Sequence, residues 1–181
     1  MQRTGALAGL RGVAASLLDL EVPSLMLPEQ EWTIEVVPAA EHDTIPNIHR
    51  LMEQSEYRVG PQSDHVGVRL DGPIEHGDGP QIISHGVPIG AIEVTPADEL
   101  ILLGRYRTLT AGYPIVGVVA QADLPLLGQL SVGTTVRFRW ISRQRAVERA
   151  AAQDRALVQL DQAVTTAFGS VVRRMASTWW L

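Results

Sequence analysis

The chain has 181 residues, a formal net charge of −5, 45% hydrophobic residues, 19% charged residues and no cysteine. This apolar content predicts a folded domain with a core of its own and excludes an intrinsically disordered chain. The absence of cysteine excludes disulfides, thiol nucleophiles and Cys-ligated metal centres. All 15 basic residues are arginine, which excludes a P-loop, a Schiff-base lysine and biotin attachment to this chain.

The N-terminal residues 1–30 are rich in Ala, Leu and Gly and predict an irregular segment. Arg3 and Arg11 precede a weakly apolar stretch that Asp19 and Pro23 interrupt, which does not fit an export signal. No run of about 18 uncharged apolar residues occurs, so we expect no membrane-spanning helix and a cytoplasmic location. The acidic balance disfavours nucleic-acid binding, which needs a basic face.

Residues 31–140 hold most of the Gly and Pro and predict many short strands, typical of an antiparallel barrel or sandwich. The predicted strands are residues 32–37, 66–70, 81–83, 91–94, 100–103, 115–119 and 135–140. Two short helices are predicted, over residues 45–54 and 122–129.

Residues 141–181 predict one long helix, since apolar residues recur at helical spacing from Leu157 to Met175. Gly169 and Ser170 mark a point where this helix can break. Trp179 and Trp180 invite packing or association, and with the helix stripe they predict a homodimer or a complex with another chain.

Catalytic signatures of several enzyme classes are absent from the sequence. The five histidines form no zinc-hydrolase pair, no nucleophile elbow occurs, and no glycine-rich stretch matches a dinucleotide fingerprint. Clusters of Gly with Ser, Asp, Gln or Tyr instead separate the predicted strands. Such clusters let backbone amides approach a ligand, and alternatively they are turns that join strands. They occupy residues 63–67, 84–94, 110–114, 121–125 and 128–130.

In this order, the clusters resemble the biotin-dependent carboxyltransferase / allophanate hydrolase subunit 2 family, which includes the C subunit of bacterial 5-oxoprolinase. Residues 63–73 are similar to the family pattern S-D-R-M-G-x-R-L-x-G-P, and residues 90–100 to G-A-I-Q-V-P-x-x-G-x-P. Residues 106–114 are similar to D-R-Q-T-T-G-G-Y-P, and residues 116–138 to the pattern that ends V-R-F. The resemblance covers residues 32–150.

The resemblance implies a mainly β fold, a cyclophilin-like β-barrel with a short internal helix and a long C-terminal helix. It implies a carboxyltransferase-type lobe over residues 31–140, without the family's first lobe. It further implies a smaller homologous partner subunit and, in the oxoprolinase forms, a third one. The implied activity is that of a 5-oxoprolinase, allophanate hydrolase or urea carboxylase complex. Such a complex acts on a small amide or carboxylated substrate, with ATP hydrolysis in the complex and biotin as a carrier held elsewhere.

Several positions depart from the family pattern and favour an alternative function. A regulatory or binding lobe without chemistry, of the type that partners a kinase inhibitor, is one alternative, and a truncated gene product is another. The departures are His65 for Arg, Glu93 for Gln, Tyr106 for Asp, Thr108 for Gln and Leu109 for Thr.

The predicted site lies where residues 63–67 meet residues 110–114 and 121–129. Asp64 and Tyr113 are the predicted catalytic residues, because a carboxylate can act as a base and a phenol can donate and accept hydrogen bonds. Arg69 or Arg107 would hold a carboxylate, although Arg69 could instead pair with Asp71 within its strand. The remaining predicted substrate-binding residues are Ser63, Glu93, Thr110, Gly112, Gln121, Asp123 and Gln129.

Overall fold

A computed structural model describes residues 32–74 and 82–178, with side chains omitted at residue 167 and from residue 170 onward. The predicted irregular segment over residues 1–30 and the two C-terminal tryptophans lie outside the described residues. The strands are β1 (Trp32–Pro38), β2 (Tyr57–Val59), β3 (Gly67–Asp71), β4 (His85–Gly86), β5 (Ala91–Val94), β6 (Leu100–Leu103), β7 (Thr110–Ala111), β8 (Ile115–Val119) and β9 (Thr135–Trp140). The helices are α1 (Ile48–Gln54), α2 (Leu124–Leu127) and α3 (Arg143–Thr178), with 3-10 turns at His42–Thr44 and Gln121–Asp123.

Seven strands form a closed barrel in the order β1-β8-β5-β6-β3-β2-β9. All pairs are antiparallel except β1 and β9, which run parallel and close the barrel. The predicted mainly β barrel with a short internal helix and a long C-terminal helix is therefore confirmed. Within the described ranges, no helix is long and apolar enough to cross a membrane.

Alternate residues of β5, β6 and β8 face opposite sides of the sheet, because side chains alternate along a strand. One set joins the barrel core, which includes Ile34, Tyr57, Leu70, Ile92, Val94, Leu100, Leu102, Val116 and Phe138. The other set forms a second apolar cluster on the outer face, made of Val87, Ala91, Ile101, Leu103 and Ile115. Strands β4 and β7 pair as a separate two-stranded ribbon, and Ala111 of β7 packs against this cluster.

Several predicted elements differ from the structure at their ends. The helix predicted from residue 45 begins at Ile48, because Pro46 disfavours helical backbone at Ile45 and Asn47 has a φ of 56°. The helix predicted over residues 122–129 is a 3-10 turn followed by four helical residues. The strand predicted over residues 81–83 is wrong for residues 82 and 83. Ile83 is 89% exposed, so this apolar run packs on nothing that would pair it.

Helix α3 runs without interruption through Gly169 and Ser170, so the predicted break is wrong. One glycine costs only about 1 kcal/mol of helix propensity, which the rest of a 36-residue helix outweighs. The compact unit that contains the barrel ends at Ala150, and the remainder of α3, from Ala151, belongs to a second unit.

Candidate functional site

A buried carboxyl group lies on the outer face of the barrel, in the middle of β5. Glu93 is opposite Ile101 of β6 and Ile115 of β8, and the β5–β8 pairing shifts register between Ile92 and Glu93. Its residue exposure is 3%, and its Oε1 has no hydrogen-bond partner. Burial raises the pKa of Glu93 above its ordinary value, because desolvation penalises the carboxylate form.

An imidazole from the ribbon faces the same region. His85 Nδ1 lies 3.3 Å from the carbonyl oxygen of Ile83, and His85 Nε2 lies 4.0 Å from Glu41 Oε2. The charge of His85 lowers the pKa of Glu93, which opposes the larger effect of burial. Among the described residues, His85 Nε2 and Glu93 Oε1 are the buried side-chain atoms without a hydrogen-bond partner.

Two neighbouring unsatisfied groups are unusual, because buried polar atoms are nearly always hydrogen-bonded. If the Nδ1 proton of His85 is donated to Ile83, then Nε2 carries the lone pair and can accept a proton. Glu93, with its raised pKa, is suited to exchange a proton with a ligand or with a neighbouring base. The arrangement can therefore move a proton and offer two unfilled hydrogen-bonding positions.

The predicted loop residues Ser63 and Asp64 are engaged in the geometry of their own turn. Ser63 Oγ accepts a hydrogen bond from the backbone N–H of Arg69 at 3.0 Å. Asp64 Oδ1 accepts from the backbone N–H groups of Val66 at 2.9 Å and Gly67 at 3.1 Å. These backbone hydrogen bonds, with that of Gly67 the stronger influence, lower the pKa of Asp64. Asp64 is thus a poor base. Its carboxylate holds loop 63–67 together through the two backbone hydrogen bonds it accepts, and we call this contact the loop clasp.

We expect Asp64→Ala to speed hydrogen exchange at the amides of Val66 and Gly67, because both lose their acceptor. Asp64→Asn keeps one side-chain oxygen and should retain most of the protection. The measurement is amide exchange followed by NMR, with the barrel amide of Ile92 as an internal reference. Equal exchange rates at residues 66 and 67 in wild type and Asp64→Ala would contradict the clasp.

The two candidate arginines are held by internal partners. Arg69 Nη1 donates to Glu99 Oε2 at 2.8 Å, so its partner is Glu99 and not Asp71, the alternative drawn from the sequence. Arg107 Nε donates to the carbonyl oxygen of Val87 at 2.7 Å and so ties the turn after β6 to the ribbon. Each guanidinium therefore uses at least one of its N–H donors within the protein, and that donor is not available to a ligand.

The residues predicted at 110–114 are carried by the ribbon and its continuation. Thr110 pairs with Gly86 of β4, and Tyr113 is 42% exposed. A Cβ at Gly112 would lie 3.1 Å from the carbonyl oxygen of Ile82, so a side chain would crowd the backbone before β4. The φ of Gly112 is not positive, so the close approach to Ile82 is what favours glycine at this position.

The residues predicted at 121–129 serve different contacts. Gln121 is exposed at the start of its 3-10 turn, and Gln129 Nε2 donates to the carbonyl oxygen of Pro125 at 3.2 Å. The carboxylate of Asp123, 6% exposed, accepts from Arg149 Nη2 at 2.9 Å and from the backbone N–H of Glu35 at 2.8 Å. Asp123 is therefore bound within an ion network.

The structure thus brings together only some of the predicted site residues. Loop 63–67 is joined to the turn at residues 104–107 through the bond from Gly104 N to Val66 O. That turn reaches the ribbon through Arg107. The structure directs Asp123 toward Arg149 instead. Within the parts of the chain that the structure describes, no group of three or more His, Asp and Glu side chains is placed to hold a metal ion.

Comparison with known proteins identifies the fold family. The family model described as "Carboxyltransferase domain, subdomain A and B" matches residues 10–140. The chain belongs to the carboxyltransferase domain family. In this carboxyltransferase domain the matched residues include β1 to β9 and both 3-10 turns.

Two curated relatives are 5-oxoprolinase C subunits. That of Haemophilus influenzae is 31% identical over 96 residues, which is 52% of this chain and 31% of the relative. That of Escherichia coli is 29% identical over 108 residues, 59% of this chain and 35% of the relative. The matched part of this carboxyltransferase domain therefore spans about a third of each relative's length.

Among solved structures, the K. lactis urea amidolyase aligns with a TM-score of 0.67 and 24% sequence identity. The alignment covers 76% of this chain and 9% of the amidolyase, and it shows a shared fold.

The sequence pattern pointed to Glu93 but not to His85 or Glu41 as parts of one site. His85 stands in the cluster Ser84-His85-Gly86, so its polar surroundings were visible. Its electrostatic link to Glu93 was not visible, because two-residue strands such as β4 leave no periodic signal. Glu41 precedes the 3-10 turn and carries no motif.

Proposed function

We propose that this carboxyltransferase domain is part of a cytoplasmic multi-subunit complex of the 5-oxoprolinase, allophanate hydrolase or urea carboxylase type. The complex acts on a small amide or carboxylated substrate and hydrolyses ATP. The two relatives named as 5-oxoprolinase C subunits support the proposal. The observation that carries it is that His85 Nε2 and Glu93 Oε1 are both buried without a hydrogen-bond partner, and that the charge of His85 acts on Glu93.

In this proposal His85 and Glu93 exchange a proton with the substrate. An amide presents a carbonyl oxygen and an N–H along one edge, which match a protonated carboxyl and a neutral imidazole nitrogen. The burial of Glu93 strengthens its hydrogen bond, because water does not compete there. The proposed additional hydrogen-bonding groups are Thr110, which lies on the ribbon, and Tyr113, which follows it. Asp64 is assigned the loop clasp in place of the base role expected from the sequence.

We place ATP outside this barrel. Phosphates need several free arginine or backbone N–H donors in one place. Arg69 and Arg149 instead pair with acidic residues, and Arg107 binds a backbone carbonyl. These residues do not form a phosphate site, so nucleotide chemistry belongs to a partner chain. Biotin would likewise be carried by another chain, since no lysine is available here.

A regulatory lobe without chemistry is the second candidate, and one observation favours it. Glu93 replaces the glutamine of the resembled family pattern, and its carboxyl is 3% exposed between Ile101 and Ile115. A buried carboxyl repels anionic substrates that an amide would accept. Substrate-dependent ATP hydrolysis by the assembled complex separates the two candidates.

The test is co-expression of this chain with the products of neighbouring genes, followed by purification of the complex. ATP hydrolysis is then measured with and without 5-oxoproline or urea. We expect substrate-dependent hydrolysis, and a loss of about tenfold or more in Glu93→Gln and in His85→Gln. Glu148→Gln, an exposed carboxyl on α3, is the matched control and should leave the rate unchanged.

Each alternative outcome has a definite meaning. A complex that forms but shows no substrate-dependent hydrolysis supports the regulatory lobe. Hydrolysis that survives in both Glu93→Gln and His85→Gln would show that the pair is not the reacting site. Folding of each variant is checked by its thermal unfolding midpoint, so that a lost rate is not confused with lost protein.

A further inference from the structure

A second cluster of aromatic and titratable groups lies apart from the ribbon, where α1 meets β9. The His49 and Trp140 rings are stacked, with centroids 5.2 Å apart and planes at 15°. The His42 ring meets the edge of Trp140 at 4.9 Å, and Trp140 Nε1 donates to the backbone oxygen of His49 at 3.0 Å. Both imidazoles are therefore fixed in orientation by one indole ring.

The two imidazoles turn ring nitrogens toward each other. His42 Nε2 and His49 Nδ1 are 3.3 Å apart. On its other side, His42 Nδ1 lies 2.7 Å from Asp43 Oδ1, a contact that requires a proton on Nδ1. In the neutral ring this leaves a lone pair on Nε2, directed at His49.

The outer nitrogen of the second ring also faces a carboxylate. His49 Nε2 lies 3.9 Å from Glu53 Oε2, too far for a hydrogen bond, so this ring can take the tautomer with a proton on Nε2 and a lone pair on Nδ1. The 3.3 Å contact is either an N–H···N hydrogen bond between the rings or, with a lone pair on each nitrogen, a position that a cation can occupy. The cation is either a shared proton or a metal ion.

The geometry points to a site for a borderline divalent transition-metal ion, of the Ni²⁺, Cu²⁺ and Zn²⁺ group, chelated by His42 Nε2 and His49 Nδ1. Metal–nitrogen bonds of about 2.0–2.1 Å in tetrahedral geometry place two ligand nitrogens roughly 3.3–3.4 Å apart. Imidazole ligands select these ions over Mg²⁺ and Ca²⁺.

The surroundings match what metal-binding histidines usually have. A carboxylate hydrogen-bonded to the second ring nitrogen fixes the tautomer and raises ligand basicity, and Asp43 does this for His42 at 2.7 Å. Glu53 lies 3.9 Å from the second nitrogen of His49 and adds negative charge beside the pair. The His42 side chain is 14% exposed and that of His49 is 53% exposed, so an ion can reach the pair and keep water ligands. Two protein ligands make an open site, in agreement with the lack of a larger ligand group among the described residues.

The test uses the untagged full chain and NiCl₂. We expect calorimetry to show saturable binding of one ion per chain at neutral pH, and Ni²⁺ to quench the fluorescence of Trp140, which stacks on a ligand ring. His42→Ala and His49→Ala should each weaken binding by about tenfold or more. MgCl₂ should produce neither signal. Lowering the pH to about 5.5 should weaken binding, because protons compete for the same nitrogens.

His65→Ala is the matched control. Its imidazole is exposed and lies against Tyr106 at 5.8 Å, away from Trp140. Equal affinities in wild type, His42→Ala and His49→Ala would overturn the site, as would the absence of saturable Ni²⁺ binding below about 1 mM. If an alanine variant unfolds, His49→Gln keeps the size of the side chain without the ring and decides the same question.

Discussion

Replacing Arg149 with alanine is expected to lower the free energy of unfolding by about 3 kcal/mol. Arg149 Nη1 lies 2.8 Å from Glu35 Oε2, and Arg149 Nη2 lies 2.9 Å from Asp123 Oδ1. The two carboxylates belong to β1 and to the turn before α2, and their side chains are 15% and 6% exposed. Removing the guanidinium takes the cation from the poorly solvated carboxylate of Asp123, while Glu35 Oε1 keeps Arg139 Nη1 at 3.6 Å. Taking one partner away is the costly way to break a buried ion pair.

The charge of Arg149 is favoured by its partners. Burial by itself would lower the pKa of Arg149, but hydrogen bonds and charge from Asp123 and Glu35 outweigh it, so that its pKa is raised above the ordinary value. The ordinary pKa of arginine already lies far above neutrality. We therefore expect the guanidinium to stay charged and the network to hold its ion pairs at every pH at which the carboxylates are ionised.

Urea unfolding measures the Arg149→Ala effect, with Arg145→Ala as the control. Arg145 is 63% exposed and lies 3.8 Å from Glu148 on the same helix, so its loss should cost less than about 0.5 kcal/mol. Urea midpoints that coincide for the two variants would show that the network contributes no more than a surface pair. Because Asp123 was expected to bind substrate, this result also decides how that residue is used.

The barrel was largely predictable from sequence, and the reasons are physical. Strands β1, β5 and β8 carry β-branched residues with Pro or Gly at one end, which is the local signal for a strand. Strands β2, β4 and β7 are two or three residues long and were missed, since such strands form only because a neighbour pairs with them. The long helix was predicted from its apolar spacing, and only its break was wrong.

The candidate site was less predictable, because chemistry there depends on contacts between distant residues. Asp64 and Ser63 looked like ligand groups, yet both satisfy their own loop. Asp123 looked like a ligand group too, and its partner Arg149 lies in a helix that no motif connects to it. Glu93 was named, but its burial on the outer face of the barrel, opposite Ile101 and Ile115, was not visible in the sequence pattern.

Replacing Glu93 with glutamine is expected to stabilise the protein by roughly 1–2 kcal/mol at about pH 8. Glu93 Oε1 has no hydrogen-bond partner, and burial raises the pKa of Glu93 above its ordinary value of 4.5. Between these two pKa values the folded protein holds a proton that the unfolded chain has released. Stability of the wild type therefore falls as the pH rises through that window, and it stays at the lower level above it.

Glutamine has nearly the shape of glutamate but no charge to desolvate, so the stability of Glu93→Gln lacks this fall. The difference between the variant and the wild type should be small below the ordinary pKa of 4.5 and should grow until the pH exceeds the raised pKa. Urea unfolding of both proteins at several pH values measures it. Glu148→Gln is the control, since its side chain is 52% exposed and no such window is expected. A stability difference that is independent of pH, or a wild type more stable than Glu93→Gln at alkaline pH, would mean that the carboxylate of Glu93 has a stabilising partner. Such a partner would have to supply at least as much free energy as burial removes, and the proton-exchange role proposed for the pair would then fail with it.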